Sequence, residues 1–498
     1  MYPKTTIVLL LLFISLKSFG QNENIFLDRA YWKTNPTINN INQKIMEGHD
    51  ITALNSYAFD PICYALLEKI DNNIIKYLLT KKGNEVNKMT HDGRTYIFWA
   101  AYKNNLEMMK YLKDIGANMN IVDNHGYSLV NFAATTGQLN TELYDFCIKN
   151  GSDPSKEKNH SGANALLLVT PHIKDISLIN YFTSKGIDMK TTDSNGNGIF
   201  NYAAKAGNIP LMNYLLKQGI SYKKLNKQGE NAMILASRGI RNKTNSLKSF
   251  QYLESLGISP NIISKNGITP LHAISYRGKD IEIFEYFLSK GVDINQEDDK
   301  GNTPFMNAAL TNGLNVVKLL QNYVKDINHK NKKGNSALSF AIQRNSIDII
   351  NYLIELRADV SVKDNKGNNI FYYLIKSLRY SKIDDFKQKA NILISKGLDV
   401  NEIQQNGNTL YHLAVETNNS ELIKWVHDKK INVNIKNIDG ITPLHLAIMK
   451  AKNDKIIQLL LNFGADKTIK TDFDESSYQL ASENELLKKN TIDINFLK

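Results

Sequence analysis

The stretch that decides the fold is Gly440-Ile441-Thr442-Pro443-Leu444-His445-Leu446-Ala447, because the chain repeats it. The preceding copy is Gly407-Asn408-Thr409-Leu410-Tyr411-His412-Leu413-Ala414. Gly267-Ile268-Thr269-Pro270-Leu271-His272-Ala273-Ile274 and Gly301-Asn302-Thr303-Pro304-Phe305-Met306-Asn307-Ala308 lie further upstream. Gly93, Gly126, Gly162, Gly196, Gly229, Gly334 and Gly367 open equivalent segments, and Ala58 and Asp474 open two degenerate ones without the glycine. Successive anchors are 33 to 40 residues apart, a period held for more than 400 residues. Such a period is the mark of a stacked-repeat architecture.

Each place in the copy has a physical purpose. The glycine suits a tip that needs positive φ, and Asp92, Asn195, Asn266, Asn406 and Asp439 precede it. Thr269, Thr303 and Thr442 suit a helix N-cap, and the prolines after them suit a first helical turn. A small residue at the seventh offset (Ala100, Ala133, Ala203, Ala236, Ala308, Ala341, Ala414, Ala447) lets neighbouring helices approach closely. A second helix follows, with apolar residues three and four apart in Ile281–Leu288 and Ile349–Ile354. Gly116, Gly219, Gly291 and Gly464 suit its C-cap.

The Thr-Pro-Leu-His motif on this period resembles the ankyrin repeat, over residues 58–498. The fold class expected is all-α with short β-hairpin fingers: a curved stack of helix-turn-helix-hairpin units sharing one core. The expected division is a signal peptide over 1–20, capping helices over 21–57 (38–45 and 51–54), about twelve repeats over 58–473 and a C-terminal capping repeat over 474–498. Two repeats are long, and their extra residues, 238–246 and 378–385, fall between first and second helix.

Residues 1–20 read as an export signal: Lys4, an apolar run from Ile7 to Leu16, then Ser18-Phe19-Gly20. That run is half the ~20 residues a spanning helix needs. Cleavage after Gly20 would remove Lys4 and Lys17 and no acid, taking the net charge from +12 to +10. The expected location is the periplasm or the exterior.

No P-loop, HExxH, GxSxG, CxxC or EF-hand pattern is present, so the chain reads as no enzyme, with no cofactor and no metal. His272, His412 and His445 belong to the repeat motif, where the resemblance implies that they brace the turn. His91, His125 and His160 fall at three successive tips, about 10 Å apart, and are expected to be solvated there. Cys63 and Cys147 lie two layers apart, roughly 20 Å, beyond the ~7 Å a disulfide spans, so both are expected as buried free thiols. The second-helix tyrosines Tyr77, Tyr111, Tyr181, Tyr214, Tyr252, Tyr286 and Tyr352 share one register and read as a packed stripe with the hydroxyl at its edge.

The resemblance also implies a partner-binding surface on the tips and the exposed ends of the first helices. Carried over, it selects Lys265, Tyr276, Arg277, Lys300, Lys333, Gln343, Arg344, Lys366 and Lys376, with Arg94, Tyr102 and Lys103 as a second set. The function expected is a monomeric scaffold binding a protein, with an acidic segment as the partner that the basic strip would take. A polyanion binder (nucleic acid or acidic polysaccharide) is the alternative, and an accessory factor for a cell-envelope enzyme is a third reading. The isoelectric point near 9.2 favours a polyanion, whereas the lack of an aromatic stacking platform speaks against nucleic acid.

Overall fold

A computed structural model describes residues 24–241, 243–378 and 381–498; the signal-peptide expectation lies outside them. The chain divides into two units, one ending at Tyr202 and the other beginning at Ala203. Both are built from helix pairs. In the first unit, Tyr96–Tyr102 precedes Leu106–Asp114 and Leu129–Thr135 precedes Thr141–Lys149. In the second, Pro270–Ser275, Pro304–Thr311, Ala337–Arg344, Ile370–Ser377, Leu410–Glu416 and Pro443–Lys450 are first helices, each followed by its partner.

First helices are buried almost throughout. Tyr96 to Ala101 and Pro304 to Ala309 are each enclosed along their length, so these short helices form the interior of the stack. Second helices bury one stripe, as with Ile349, Ile350 and Leu353 in Ile347–Glu355. Seven to nine residues is marginal length for a helix in water, so tertiary burial and caps hold these helices. Thr269 and Thr442 cap as their positions require, each with a side-chain oxygen accepting the N–H three residues on.

The tips are turns rather than extended fingers. The isolated bridges among the described residues are Thr90–Arg94, Thr192–Gly198 and Ile240–Lys243. What fixes a tip is a side chain three residues before the glycine. Asp298 Oδ1 accepts from Lys300 N–H and Asn302 N–H at 2.8 Å each. Asp123, Asn159, Asp193, Asn226, Asn331, Asp364 and Asn437 do the same in their repeats. Neighbouring tips are then tied by backbone: Asp299 N–H to Asn266 O at 2.8 Å, Lys332 N–H to Lys300 O at 3.0 Å and Asn365 N–H to Lys333 O at 2.9 Å.

Near the N-terminus the helix expected at 38–45 is Ile38–Met46, but 51–54 is not helical. Asp50 Oδ1 accepts from the Thr52 N–H and hydroxyl there, a local turn that competes with helix. The other helix is Arg29–Trp32, capped by Asp28 and anchored by buried Trp32. At the far end Ser477–Glu483 and Glu485–Lys489 close the second unit. Among the described residues no helix is long and apolar enough to cross a membrane.

Candidate partner-binding groove

The motif histidines join one repeat to the next. His272 Nδ1 accepts from Thr269 N–H at 3.1 Å, which leaves Nε2–H to donate to Asn302 O at 3.1 Å. His412 and His445 repeat this toward Ile441 O and Ile469 O, both at 2.9 Å. All three are buried, and burial holds their pKa below the usual histidine value.

The tyrosine stripe is stapled in a similar way. The hydroxyls of Tyr252 and Tyr286 donate to Asn213 and Glu254 on the preceding second helix, at 2.7 and 2.9 Å. Tyr181 reaches Asp145 at 2.8 Å. These hydroxyls are engaged in holding the stack. Cys63 and Cys147 are both buried and unbridged.

The tip histidines meet the expectation in part: His125 and His160 are exposed, and His91 is half-buried. His91 and His125 are not independently solvated: each Nε2 lies 3.3 Å from the same Asp92 carboxylate. His91 also stacks on Phe59 with 4.4 Å between ring centres. Asp92, at the tip between them, closes the gap that repeat spacing alone would leave. Among the described residues no group of three or more His, Cys, Asp or Glu is placed to hold a metal ion. Arg94 is also engaged internally. Its guanidinium is buried against Asp123 at 2.8 Å and lies over the Phe132 ring, so it presents no free charge to a partner. Tyr102 is part-exposed beneath the Lys103 ammonium.

The nine residues selected from the sequence separate into three groups. Lys265, Lys300, Lys333 and Lys366 stand exposed on tips of the second unit, where no described acid pairs with them. Lys376 is taken up by Glu416 at 2.8 Å. Tyr276, Arg277, Gln343 and Arg344 line hollows over the ends of the first helices.

Three adjoining hollows share lining residues and so form one groove. The largest, about 760 Å³, is lined by Arg238, Arg241, Lys243, Tyr276, Arg277 and Lys279, among others. The next, about 430 Å³, shares Arg238, Tyr276, Arg277 and Thr311 with it and adds Asp298, Asn307 and Arg344. The third, about 580 Å³, continues from Thr311 and Arg344 to Asp385 and Lys389. Cations outnumber acids along its length. Arg238 is paired with Glu230, 3.0 Å for one of its bonds, and Lys389 with Asp385 at 2.9 Å. Arg241, Arg277 and Lys279 have no acid partner among the described residues. Tyr276, 40 % exposed, stands between them.

The 238–246 insertion walls this groove. After Gly239, at φ +61°, Ile240 and Lys243 exchange backbone hydrogen bonds of 3.0 and 3.1 Å in a tight hairpin. Asn245 ties it back, its amide donating to Ala236 O at 2.9 Å. Arg241 thereby lines the hollow toward the next repeat, while Lys243 Nζ donates back to Ala206 O at 3.4 Å. Sequence reasoning located this insertion but not its two cations as groove residues; an Arg and a Lys in an insertion beside the contact register were the available signal.

A family model described as "Ankyrin repeats (3 copies)" matches residues 62–158, 240–331, 271–364, 315–386 and 381–471, together more than half the chain. The protein belongs to the ankyrin-repeat family, whose repeats generally mediate protein–protein interaction and whose fold is typically non-catalytic. It is similar to an E3 ubiquitin-protein ligase, KEG, of Arabidopsis thaliana, 29% identical over 24% of this chain and 7% of that protein. It is also similar to an NAD-dependent deacetylase, sir2B, of Dictyostelium discoideum, 25% identical over 48% of this chain and 30% of that one. The chain thus spans less than a third of either relative. Among solved structures, the human ASB11 ankyrin repeat domain aligns with a TM-score of 0.38 and 18% identity, over 44% of this chain and 96% of that one.

Proposed function

We propose that this chain is an exported, non-catalytic scaffold that docks a protein partner in the basic groove of its second unit. The observation carrying this is the set of Arg241, Arg277 and Lys279, gathered around a hollow of about 760 Å³ whose lining holds one acid, Asp280, and flanked by an exposed tyrosine. Unpaired cations in a concave surface raise the local potential and favour an acidic partner. The tip lysines Lys300 and Lys333 lie outside the groove lining and serve as its outer field. An accessory role beside a cell-envelope enzyme is one form of this reading.

Export rests on the pattern of residues 1–20. A reporter fused after residue 20 is expected outside the cytoplasm, with Gln21 as its new N-terminus; retention of the intact fusion inside would reject export. Binding is tested by affinity capture from envelope and culture fractions with the chain lacking residues 1–20. One protein is expected to be retained reproducibly, and to be lost from an Arg277→Glu/Arg344→Glu variant. Capture of no protein would reject the scaffold reading.

A further inference from the structure

We infer that two neighbouring segments of the second unit, 221–229 and 259–267, form a contact for an anionic lipid surface. The inference goes beyond the scaffold reading and uses none of the groove. The place is set by charge. From Ala203 to Phe250, nine lysines and arginines stand against one acid, Glu230. Glu230 is buried and taken by Arg238, so it offsets no other cation. The run Lys223-Lys224-Leu225-Asn226-Lys227 exposes every residue except Asn226. Asn226 is buried because it organises the turn, accepting from Gln228 N–H and Glu230 N–H at 2.9 Å each. Among the described residues no acid pairs with Lys223, Lys224 or Lys227.

Aliphatic side chains stand among these lysines. Leu225 is 49% exposed and Ile263 is 53% exposed, each four residues before its tip glycine. The shared register sets them side by side in neighbouring repeats, which Lys265 N–H joins to Gln228 O at 2.8 Å. Lys223 reaches across the same join, its Nζ 3.4 Å from where a Cβ on Gly257 would stand. Lys223, Lys224, Leu225 and Ile263 all precede the tips and lie outside the groove lining. The following segment carries exposed Asp293, Glu297 and Asp299, which ends the patch on that side. Each lysine near an anionic membrane gains about fivefold in binding. A soluble polyanion offers the lysines the same attraction. Leucine and isoleucine gain only where they can leave water, as at the boundary of headgroups and acyl chains. Tyr222, the one aromatic residue in either segment, is part-buried beneath Lys223, so no ring stands free to stack on a nucleic acid base.

The test is co-sedimentation with vesicles of the chain lacking residues 1–20, whose apolar run would itself enter a bilayer. One vesicle is phosphatidylcholine alone, and the other is an equal mixture of phosphatidylcholine and phosphatidylglycerol. Inorganic polyphosphate is the soluble polyanion. Three variants accompany the native chain: Lys223→Gln/Lys224→Gln, Leu225→Ser/Ile263→Ser, and Lys332→Gln/Lys333→Gln in another repeat. The two lysine variants change net charge equally, so a difference between them reports position. All six side chains are exposed, so folding is expected to persist, as circular dichroism would verify. The native chain is expected to sediment with the mixed vesicles and not with phosphatidylcholine alone. Lys223→Gln/Lys224→Gln should bind about 25-fold more weakly, and Leu225→Ser/Ile263→Ser about tenfold more weakly. Lys332→Gln/Lys333→Gln should lose about threefold or less, because distant charges are screened. Polyphosphate should bind the native and Leu225→Ser/Ile263→Ser chains alike. Equal binding to both vesicles, binding to neither, or equal loss in the two lysine variants would each overturn the inference. So would full vesicle binding by Leu225→Ser/Ile263→Ser, which would assign the lysines to a soluble polyanion instead. None of these outcomes alters what affinity capture by the groove would show.

Discussion

At the scale of single residues, the histidines of the motif carry a pH dependence whose sign follows from their bonds. His272, His412 and His445 each accept at Nδ1 and donate at Nε2, which requires the neutral ring. A proton on Nδ1 would face the N–H of Thr269, Thr409 or Thr442. Their folded pKa values lie below 6.5, so the unfolded chain binds more protons as pH falls through that value. Stability is therefore full above about pH 6.5 and declines as pH drops toward the folded values. The urea midpoint of the native chain should fall between pH 7.5 and 5.5. Replacing all three by Asn keeps an acceptor for the cap, as Asn40 does for Thr37. It should lower stability by about 1 kcal/mol per site at pH 7.5 and flatten the pH response. An unchanged pH response would show that other groups govern it. Glycines divide by surroundings too. Gly334 and Gly464 both have positive φ, +82° and +87°, but a Cβ on Gly334 would lie 2.7 Å from Asn365 N, while nothing is near Gly464. Gly464→Ala should cost about 1 kcal/mol for conformation alone. Gly334→Ala should cost clearly more, and equal midpoints for the two would contradict the packing described.

Among elements, asparagine amides join the helix pairs. Asn312 ends its helix in extended conformation and donates to Ser275 O and Gly278 O at 2.9 and 2.8 Å. Asn345 does the same toward Ala309 O and Asn312 O, and Asn484 toward Ile448 O and Ala451 O. These carbonyls end first helices that lie inside the stack, where water cannot replace a lost donor. Asn312→Ala should cost about 2 kcal/mol by denaturant unfolding, since it orphans two carbonyls. Asn295→Ala breaks a comparable bond to Tyr323 O at the exposed edge and should cost less than half of that. Parity of the two would mean that the interior carbonyls are hydrated after all. None of these asparagines stood out in the sequence, because they follow the helix at slightly different offsets and Asn is abundant in loops. The threonine caps and small interior alanines were legible, since each is dictated by conformation within one repeat. The amide staples depend on what the neighbouring copy places opposite them, whereas the tip-organising Asp298 and Asn331 act within their own turn, three residues before the glycine. The same division runs through the candidate site. The register of Tyr276, Arg277 and Arg344 could be carried over from the repeat, whereas the neutralisation of Lys376 by Glu416 comes from a contact between copies and the turn that places Arg241 from an insertion outside the repeat pattern.

For the whole molecule, repetition sets how stability is distributed. A repeat contacts mainly its neighbours, so stability is a sum of repeat and nearest-neighbour terms, and a long array need not unfold as one. The chain divides inside the helix Ile199–Lys205, and each unit has its own buried residues, such as Phe98, Phe132 and Phe182 in the first and Phe284, Leu353 and Phe371 in the second. Leu353 is fully buried, and Leu353→Ala should remove about 2–5 kcal/mol from the unit that contains it. If the units are separately cooperative, that loss should stay local. Amide exchange should quicken over Ile347–Glu355 and the helices packed on it, while amides of Tyr96–Tyr102 and Leu129–Thr135 keep their protection. Thermal unfolding of the variant should then show an early transition absent from the native chain, followed by one at the native temperature. A single transition displaced as a whole, with protection lost evenly in both units, would mean that the chain unfolds as one body, and that a partner seated in the groove of the second unit would stabilise the first by the same amount.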